Sequence, residues 1–408
     1  MRGILPAQPV PRARLCTAAG EGWQGPARAV GGVAHTPFMT TIIHATDPAE
    51  FLGLVPALAG FTPRQSIVML PFHGTRTQGA MRIDLPASDI DPDHFADVAL
   101  RALLQVPDTD AVAVVVYTDD APARVPDGLL LPHLSIAEAL VDVCSHAGLR
   151  VVEALCVTPH GWGDYLDDTP LVRPLADIPS APAVPGIGDV SGDQLAGAEL
   201  PRSDLVERES VGRALRDLGD AIEHQTHGRG IGAENPIAIA AAEVMLDDLP
   251  HFVEHLLDAP LDDDPFACAA LLWCLSRPPL RDAILVQWAT DLEFGYRAFD
   301  AQLAFSSDRT TVPDAIGEVF MGRGPRPDLD RLGCALQVVR SAAARAPRHA
   351  KVGALTAAAW LAWAMGRSSH AGTYVDEALR LEPGHSMASL ISSILAAAML
   401  PEWVLRRP

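Results

Sequence analysis

Seven consecutive residues, Ala111–Tyr117 (AVAVVVY), constrain the fold more than any other stretch of the chain. Valine favours an extended backbone, and a strand with no polar alternation has no face to offer water. The segment is therefore expected to be the central strand of a sheet covered on both sides. It ends in Thr118-Asp119-Asp120, three residues suited to a turn.

The residues around it predict the rest of a sheet domain. Asp47 is placed to cap a helix, with Pro48 at its first position and Glu50 in its first turn. Phe51, Leu54, Val55 and Leu58 recur at helical spacing, and Gly60 ends the helix. Ile67-Val68-Met69-Leu70 reads as a buried strand, His73 to Thr77 as a turn, and Ala80 to Leu85 as a second strand. In that second strand Arg82 and Asp84 share one face, opposite Met81, Ile83 and Leu85. A helix over Asp91–Val106 precedes the central strand. A helix from about Ser135 to Ala147 follows it, with Ser135 and Glu138 spaced as a capping box. Leu149–Val157 is the last strand of the set. The order predicts an α/β domain over about 39–160, with a mixed sheet, an antiparallel hairpin at one end and right-handed crossovers that make the later strands parallel.

From Thr158 to Pro201 prolines and glycines forbid long elements, so 161–202 reads either as a linker or as a loop draped over the sheet. Beyond it the pattern is helical throughout. Predicted helices cover Ser203–His224, Pro236–Leu257, Asp264–Ser276, Leu280–Phe299, Pro313–Met321, Asp328–Ala346, Lys351–Met365, Ala371–Leu381 and Ser386–Leu400, giving an all-α domain over 203–400. In the last three, Ala359, Ala362, Ala371, Ala378 and Pro383 fall near the small-residue positions of a tetratricopeptide hairpin, although an all-α bundle with small residues at its crossings accounts for them equally. Residues 1–38 lack periodicity and read as a disordered tail or as sequence upstream of a start at Met39.

Composition narrows the function. The chain has 408 residues, enough for two or three domains, and 49% are apolar. It carries 51 acidic residues against 31 basic ones, a net charge of −20 that repels phosphate backbones and anionic lipid. Neither nucleic acid nor a membrane is therefore an expected partner. Lys351 is the only lysine, a bias that fits a GC-rich genome. The six cysteines form no CxxC and no disulfide framework, as expected of reduced thiols in a cytoplasmic protein. Prolines 6, 9 and 11 interrupt any leader-like apolar run.

Several stretches carry a family resemblance. FLGLVPALAGFTPRQSIVML followed by MRIDLP, the central AGAELPRSDLVER, the PPLRDAILVQWA segment and the tail from ALTAAAWLAWAMG to HSMASL resemble an actinobacterial family catalogued as domain of unknown function 4192. The similarity spans about Met39 to Leu400, and the family implies no activity. One departure is informative. The family resemblance implies cysteines after a Trp-x-x-Tyr stretch, whereas Trp162 to Pro170 here has none, so no thiol or metal chemistry can rest on them.

Candidate ligand positions follow from the expectation that α/β sheets bind beyond the carboxyl ends of parallel strands. The central strand delivers Asp119 and Asp120, and the next delivers Trp162, Asp164 and Tyr165, with Asp167 and Asp168 close behind. Arg82 and Asp84 join them if their face looks inward. Gathered at one rim, these groups could hold Mg²⁺ or a polar ligand, while as separate residues they cap turns. His251, Glu254 and His255 spell H-x-x-E-H, a weaker zinc candidate in a helical setting. Ser66 lies at a strand entry with no base nearby in sequence. Two functions follow. The preferred one is a non-enzymatic regulatory or scaffold protein that binds a protein partner through its helical half. The alternative is a carboxylate- or Mg²⁺-dependent hydrolase or transferase with its site at the strand ends.

Overall fold

The computed structural model describes residues 14–17, 41–126, 128–180, 190, 192–227, 235–258, 261 and 264–405. The chain divides into two compact units, the first ending at Ala196 and the second beginning at Gly197.

The first unit is α/β. Its elements in order are β1 (Arg14–Thr17), β2 (Thr41–His44), α1 (Pro48–Ala59), β3 (Ser66–His73), β4 (Arg76–Thr77), β5 (Met81–Asp84), α2 (Pro92–Leu103), β6 (Ala111–Tyr117), β7 (Ala123–Val125), β8 (Gly128–Leu130), α3 (Leu134–His146), β9 (Arg150–Thr158) and β10 (Gly161–Asp164). Six strands form one mixed sheet in the order β10-β9-β6-β3-β4, with β5 also on β3. As expected, β6 is central and fully buried, and it runs parallel to β9. β3 is antiparallel to β6, β4 and β5.

Alternation along the strands sorts the apolar side chains into two layers. Val68, Leu70, Phe72, Ala113, Val115 and Leu155 pack under α1 through Phe51, Leu52 and Val55. Met69, Val112, Val114 and Val116 pack on the other face against Phe95 and Leu103 of α2 and Ile136 and Leu140 of α3. Asp47 caps α1 as predicted, its side chain accepting from the Glu50 amide at 2.8 Å.

Three features of this unit differ from the sequence reading. Arg14–Thr17, placed in a disordered tail, pairs antiparallel with Thr41–His44, where Thr41-Ile42-Ile43 supplies β-branched residues; the rest of 1–38 lies outside the described residues. Helix α3 starts at Leu134, not Ser135, and its N-cap is His133 in the left-handed region at φ 57° with no side-chain cap bond. The proline-rich segment contains a strand. β10 folds back antiparallel on β9 through Pro159-His160, and Gly161 makes this possible: at φ 145° a Cβ there would lie 2.4 Å from the Arg173 carbonyl. Arg173 then bridges Trp162 by two backbone bonds, Ile178 packs into the α1 layer, and Thr62 bridges Asp193.

The second unit is all-helical: α4 (Leu205–His227), α5 (Pro236–Asp247), α6 (Leu249–His255), α7 (Pro265–Leu275), α8 (Pro278–Ala289), α9 (Leu292–Asp308), α10 (Asp314–Phe320), α11 (Leu329–Arg345), α12 (Arg348–Ala364), α13 (Ser368–Leu381), α14 (Ser386–Ala396) and α15 (Glu402–Leu405). Two predicted helices are each split. Asp248 caps α6 and Asp291 caps α9, because an aspartate that accepts from the following turn starts a new helix in place of extending the old one. α12 is buried from Ala350 and Val352 through Ala364, all round its axis, as the central helix of a bundle is. This packing does not establish the tetratricopeptide character expected of the last hairpins.

Candidate functional site at the end of the central strand

The carboxyl end of β6 opens onto a cavity of about 400 Å³. Ala121, Ala123, Leu130, Leu131, Pro132, His133, Leu134, Ser135 and Glu138 line it. Most of that surface is apolar, with a hydroxyl, a carboxylate and an imidazole set into it. The cavity lies where the β6 backbone leaves the sheet and α3 begins, the position at which open α/β sheets bind ligands.

His133 organises the polar side. Its Nε2 is 3.1 Å from Thr118 Oγ1 and 3.1 Å from Asp120 Oδ2. The hydrogen bond at this nitrogen is the one with Thr118; the Asp120 carboxylate lies beside it at ion-pairing distance. Thr118 Oγ1 also accepts the Asp120 amide at 3.1 Å, which fixes the turn. Nδ1 has no hydrogen-bond partner among the described residues. Thr118 and Asp120 thus both stand at one nitrogen of the imidazole, and His133 itself lines the cavity.

The loop is braced from the edge of the sheet, on the side that α3 covers. Tyr165, just past β10, donates its hydroxyl to the Pro132 carbonyl. Burial raises the Tyr165 hydroxyl well above its ordinary value, so it remains a donor. Its amide bonds the Ala154 carbonyl, which anchors the tyrosine to β9.

The other predicted positions do not join this group. Asp119 pairs with Arg64 at 3.6 Å, both well exposed, and its amide donates to Gln65 Oε1. Arg82 and Asp84 pair with each other on β5, where Asp84 stands opposite Ser66 and Ser66 opposite Tyr117. Two strand spacings, roughly 10 Å, therefore separate Asp84 from β6. Asp164 lies opposite Leu155, three residues back from the end of β9, or about 10 Å along the strand. There it caps a turn at the Leu166 amide, 2.8 Å away. Trp162 is 4% exposed in the α1 layer, covered by the Arg173 guanidinium at 4.8 Å. The expected rim of carboxylates is therefore dispersed: β6 and β9 are parallel, but β9 reverses at once into β10 and carries Trp162, Asp164 and Tyr165 away from the edge. Among the described residues no three His, Cys, Asp or Glu side chains are grouped to hold a metal ion.

The reversal creates a pairing that the sequence reading did not name. Glu153 on β9 and Asp164 on β10 share the α1 side of the sheet, near Asp47. Burial, then Asp164, then Asp47 push the Glu153 carboxyl up to about 7. Burial likewise raises Asp164, against the pull of the Leu166 amide.

The H-x-x-E-H segment falls on α6 with both histidines exposed. Glu254 is engaged by both terminal nitrogens of Arg331 and by Gln287 Nε2 at 2.9 Å. Hydrogen bonding to Arg331 holds its carboxyl below the ordinary value. Ser66 is fully buried and its Oγ has no partner.

Helix α3 supplied the misleading signal. Ser135 and Glu138 look like a capping box, whereas both line the cavity and His133 takes the cap position. A histidine between proline and leucine carries no mark of a left-handed backbone, so nothing in the sequence singles it out.

A three-layer α/β unit with an open strand-end cavity and an all-helical second unit define the class of this protein. The chain matches the model of the family described as Domain of unknown function (DUF4192) over residues 48–402, and it belongs to that family. No curated protein and no solved structure matches it.

Proposed function

We propose that this chain is a ligand-responsive regulatory protein. Its α/β unit takes a small, largely apolar molecule with one polar end into the cavity beyond β6, and its helical unit binds a protein partner. The observation that carries the reading is the cavity itself: about 400 Å³, apolar-walled, with His133 in its lining held at Nε2 by Thr118 and Asp120. That volume suits a metabolite-sized molecule. The helical side rests on exposed apolar residues of α4 and α5, where Leu205, Val206, Ile237 and Val244 are each more than 60% exposed.

Native mass spectrometry of the full chain purified from its own cell tests the ligand reading. The expected result is a bound mass that denaturation releases and that His133→Ala loses. A bare chain, or a mass held equally by the variant, overturns it. Affinity capture on the same material tests the partner: retention of one protein by wild type, weakened by Val206→Glu, supports it.

A second reading has one observation in its favour. Asp120 stands 3.1 Å from His133 Nε2, close enough for a carboxylate to support the imidazole as a general base. Turnover of the released molecule by wild type but not by Asp120→Asn would favour an enzyme over a sensor.

A further inference from the structure

Three polar side chains interrupt the apolar wall of the β6 cavity: His133, Ser135 and Glu138. The imidazole is already engaged at Nε2 by Thr118 and Asp120. Ser135 and Glu138 are both exposed, and among the described residues neither side chain makes a hydrogen bond or an ion pair. Three residues apart on α3, they stand on one side of the helix, with Cβ atoms about 5–6 Å apart. Leu130 of the same wall is 40% exposed, so the cavity is open to solvent.

The charge around this opening has one sign. Among the described residues that line the cavity, Glu138 is the one acid, and no arginine or lysine accompanies it. The neighbouring cations are turned elsewhere. Arg124 follows the lining residue Ala123 on β7, but it lies opposite Leu129, whereas Ala123 lies opposite the lining residue Leu130. Strand alternation therefore puts Arg124 on the other face of the hairpin. Arg64 pairs with Asp119 at 3.6 Å. A second carboxylate, Asp120, stands at His133. The start of α3 offsets these two carboxylates by only about half a charge.

We propose that the molecule taken into this cavity is an amphiphilic amine. Its apolar body lies against Leu130, Leu131 and Leu134, and its ammonium group donates to the Glu138 carboxylate and to Ser135 Oγ. The inference rests on the reading of the cavity as a ligand site and names the chemistry of the polar end. An ammonium brings three donors and no acceptor, which suits a carboxylate and a hydroxyl left without partners. A carboxylate or phosphate group would instead face Glu138 and Asp120 with no cation to meet it.

Probes that share one apolar body test it: 1-naphthylmethylamine, 1-naphthylmethanol and 1-naphthoate, each titrated into the full chain by calorimetry, with hydrogen exchange at residues 128–138 to place the bound probe. The amine is expected to bind about fivefold tighter than the alcohol, the margin of a solvent-accessible ion pair, and the acid more weakly than the alcohol. Glu138→Gln is expected to remove the margin between amine and alcohol while leaving alcohol binding and the probe-free Tm unchanged. Added sodium chloride is expected to narrow the margin in wild type. An alcohol or acid that binds as tightly as the amine, or a margin that survives Glu138→Gln, overturns the amine assignment and leaves the cavity reading standing. If no probe protects residues 128–138, the cavity reading fails and the assignment fails with it.

Discussion

The Asp120 carboxylate lies 3.1 Å from the His133 imidazole while the His133 backbone sits in the left-handed region at φ 57°. For a residue with a Cβ that conformation costs about 1 kcal/mol. Replacing His133 by glycine removes the cost, whereas alanine keeps it, and both lose the imidazole. His133→Gly should therefore unfold at higher urea than His133→Ala, by about 1 kcal/mol. Equal midpoints would mean that the cap position is not held left-handed.

Tyr165 ties β10 to the loop that carries His133. Tyr165→Phe leaves the Pro132 carbonyl without its donor, at an expected cost of about 1–2 kcal/mol. The same variant should weaken ligand retention in the β6 cavity, because the brace is gone while every lining residue is intact. Chemical denaturation and native mass spectrometry on one preparation check both expectations.

The Glu153–Asp164 pair predicts a pH dependence. The carboxyl of Glu153 is raised from 4.5 to about 7 in the folded chain. A raised folded value means that its stabilising contribution is complete below about pH 4.5 and is lost as pH climbs through 7. The loss amounts to at most about 3 kcal/mol, and Asp164, raised by its own burial, acts in the same direction. Urea unfolding of Glu153→Gln should show a shallower decline across that window, with the variant more stable than wild type above pH 7. A wild-type stability that rises over the same range, beyond the slope of the variant, would contradict the pairing.

Gly353 sits in α12 where a Cβ would meet the Leu275 carbonyl at 2.5 Å. Alanine is the better helix former by about 1 kcal/mol. The clash is with backbone, which cannot swing aside, and overpacking of this kind costs about 1–3 kcal/mol. Gly353→Ala should thus be destabilising, read as a lower Tm. A higher Tm would show that α12 and α7 are not in such close contact.

Glu254 and Arg331 are partly buried and bind each other through two oxygens and two nitrogens. Arg331→Ala strands the carboxylate, and a loss of about 3 kcal/mol is expected. His251→Ala and His255→Ala, on the exposed side of α6, should stay within about 0.5 kcal/mol of wild type. The contrast, measured by denaturation, separates a packing role for this segment from a metal role, which would need the histidines.

Long, strongly patterned elements were legible in the sequence, and the candidate site was legible only in part. The all-apolar run at Ala111–Tyr117 could be nothing but a central strand, and Asp47 with Gly60 bounded α1 correctly at both ends. The parallel pairing of β6 and β9 followed from the crossover rule. What failed was local backbone geometry. Pro159-His160-Gly161 reverses the chain in a turn that the proline count disguised as a linker, and with it Asp164 left the rim. His133 took the cap position that Ser135 appeared to own. Asp248 and Asp291 divided helices whose apolar periodicity ran on. Asp120 and Tyr165, both singled out from the sequence, contact the His133 segment and do not form part of a carboxylate cluster.

Hydrogen exchange of the full chain, with and without the small-molecule fraction of its own cell extract, asks most directly whether the β6 cavity is a binding site. Added ligand is expected to slow exchange at residues 118–126 and 128–138, and His133→Ala to abolish the effect. Protection confined to other segments, or unchanged exchange at the β6 end in the presence of a ligand that binds, would contradict it.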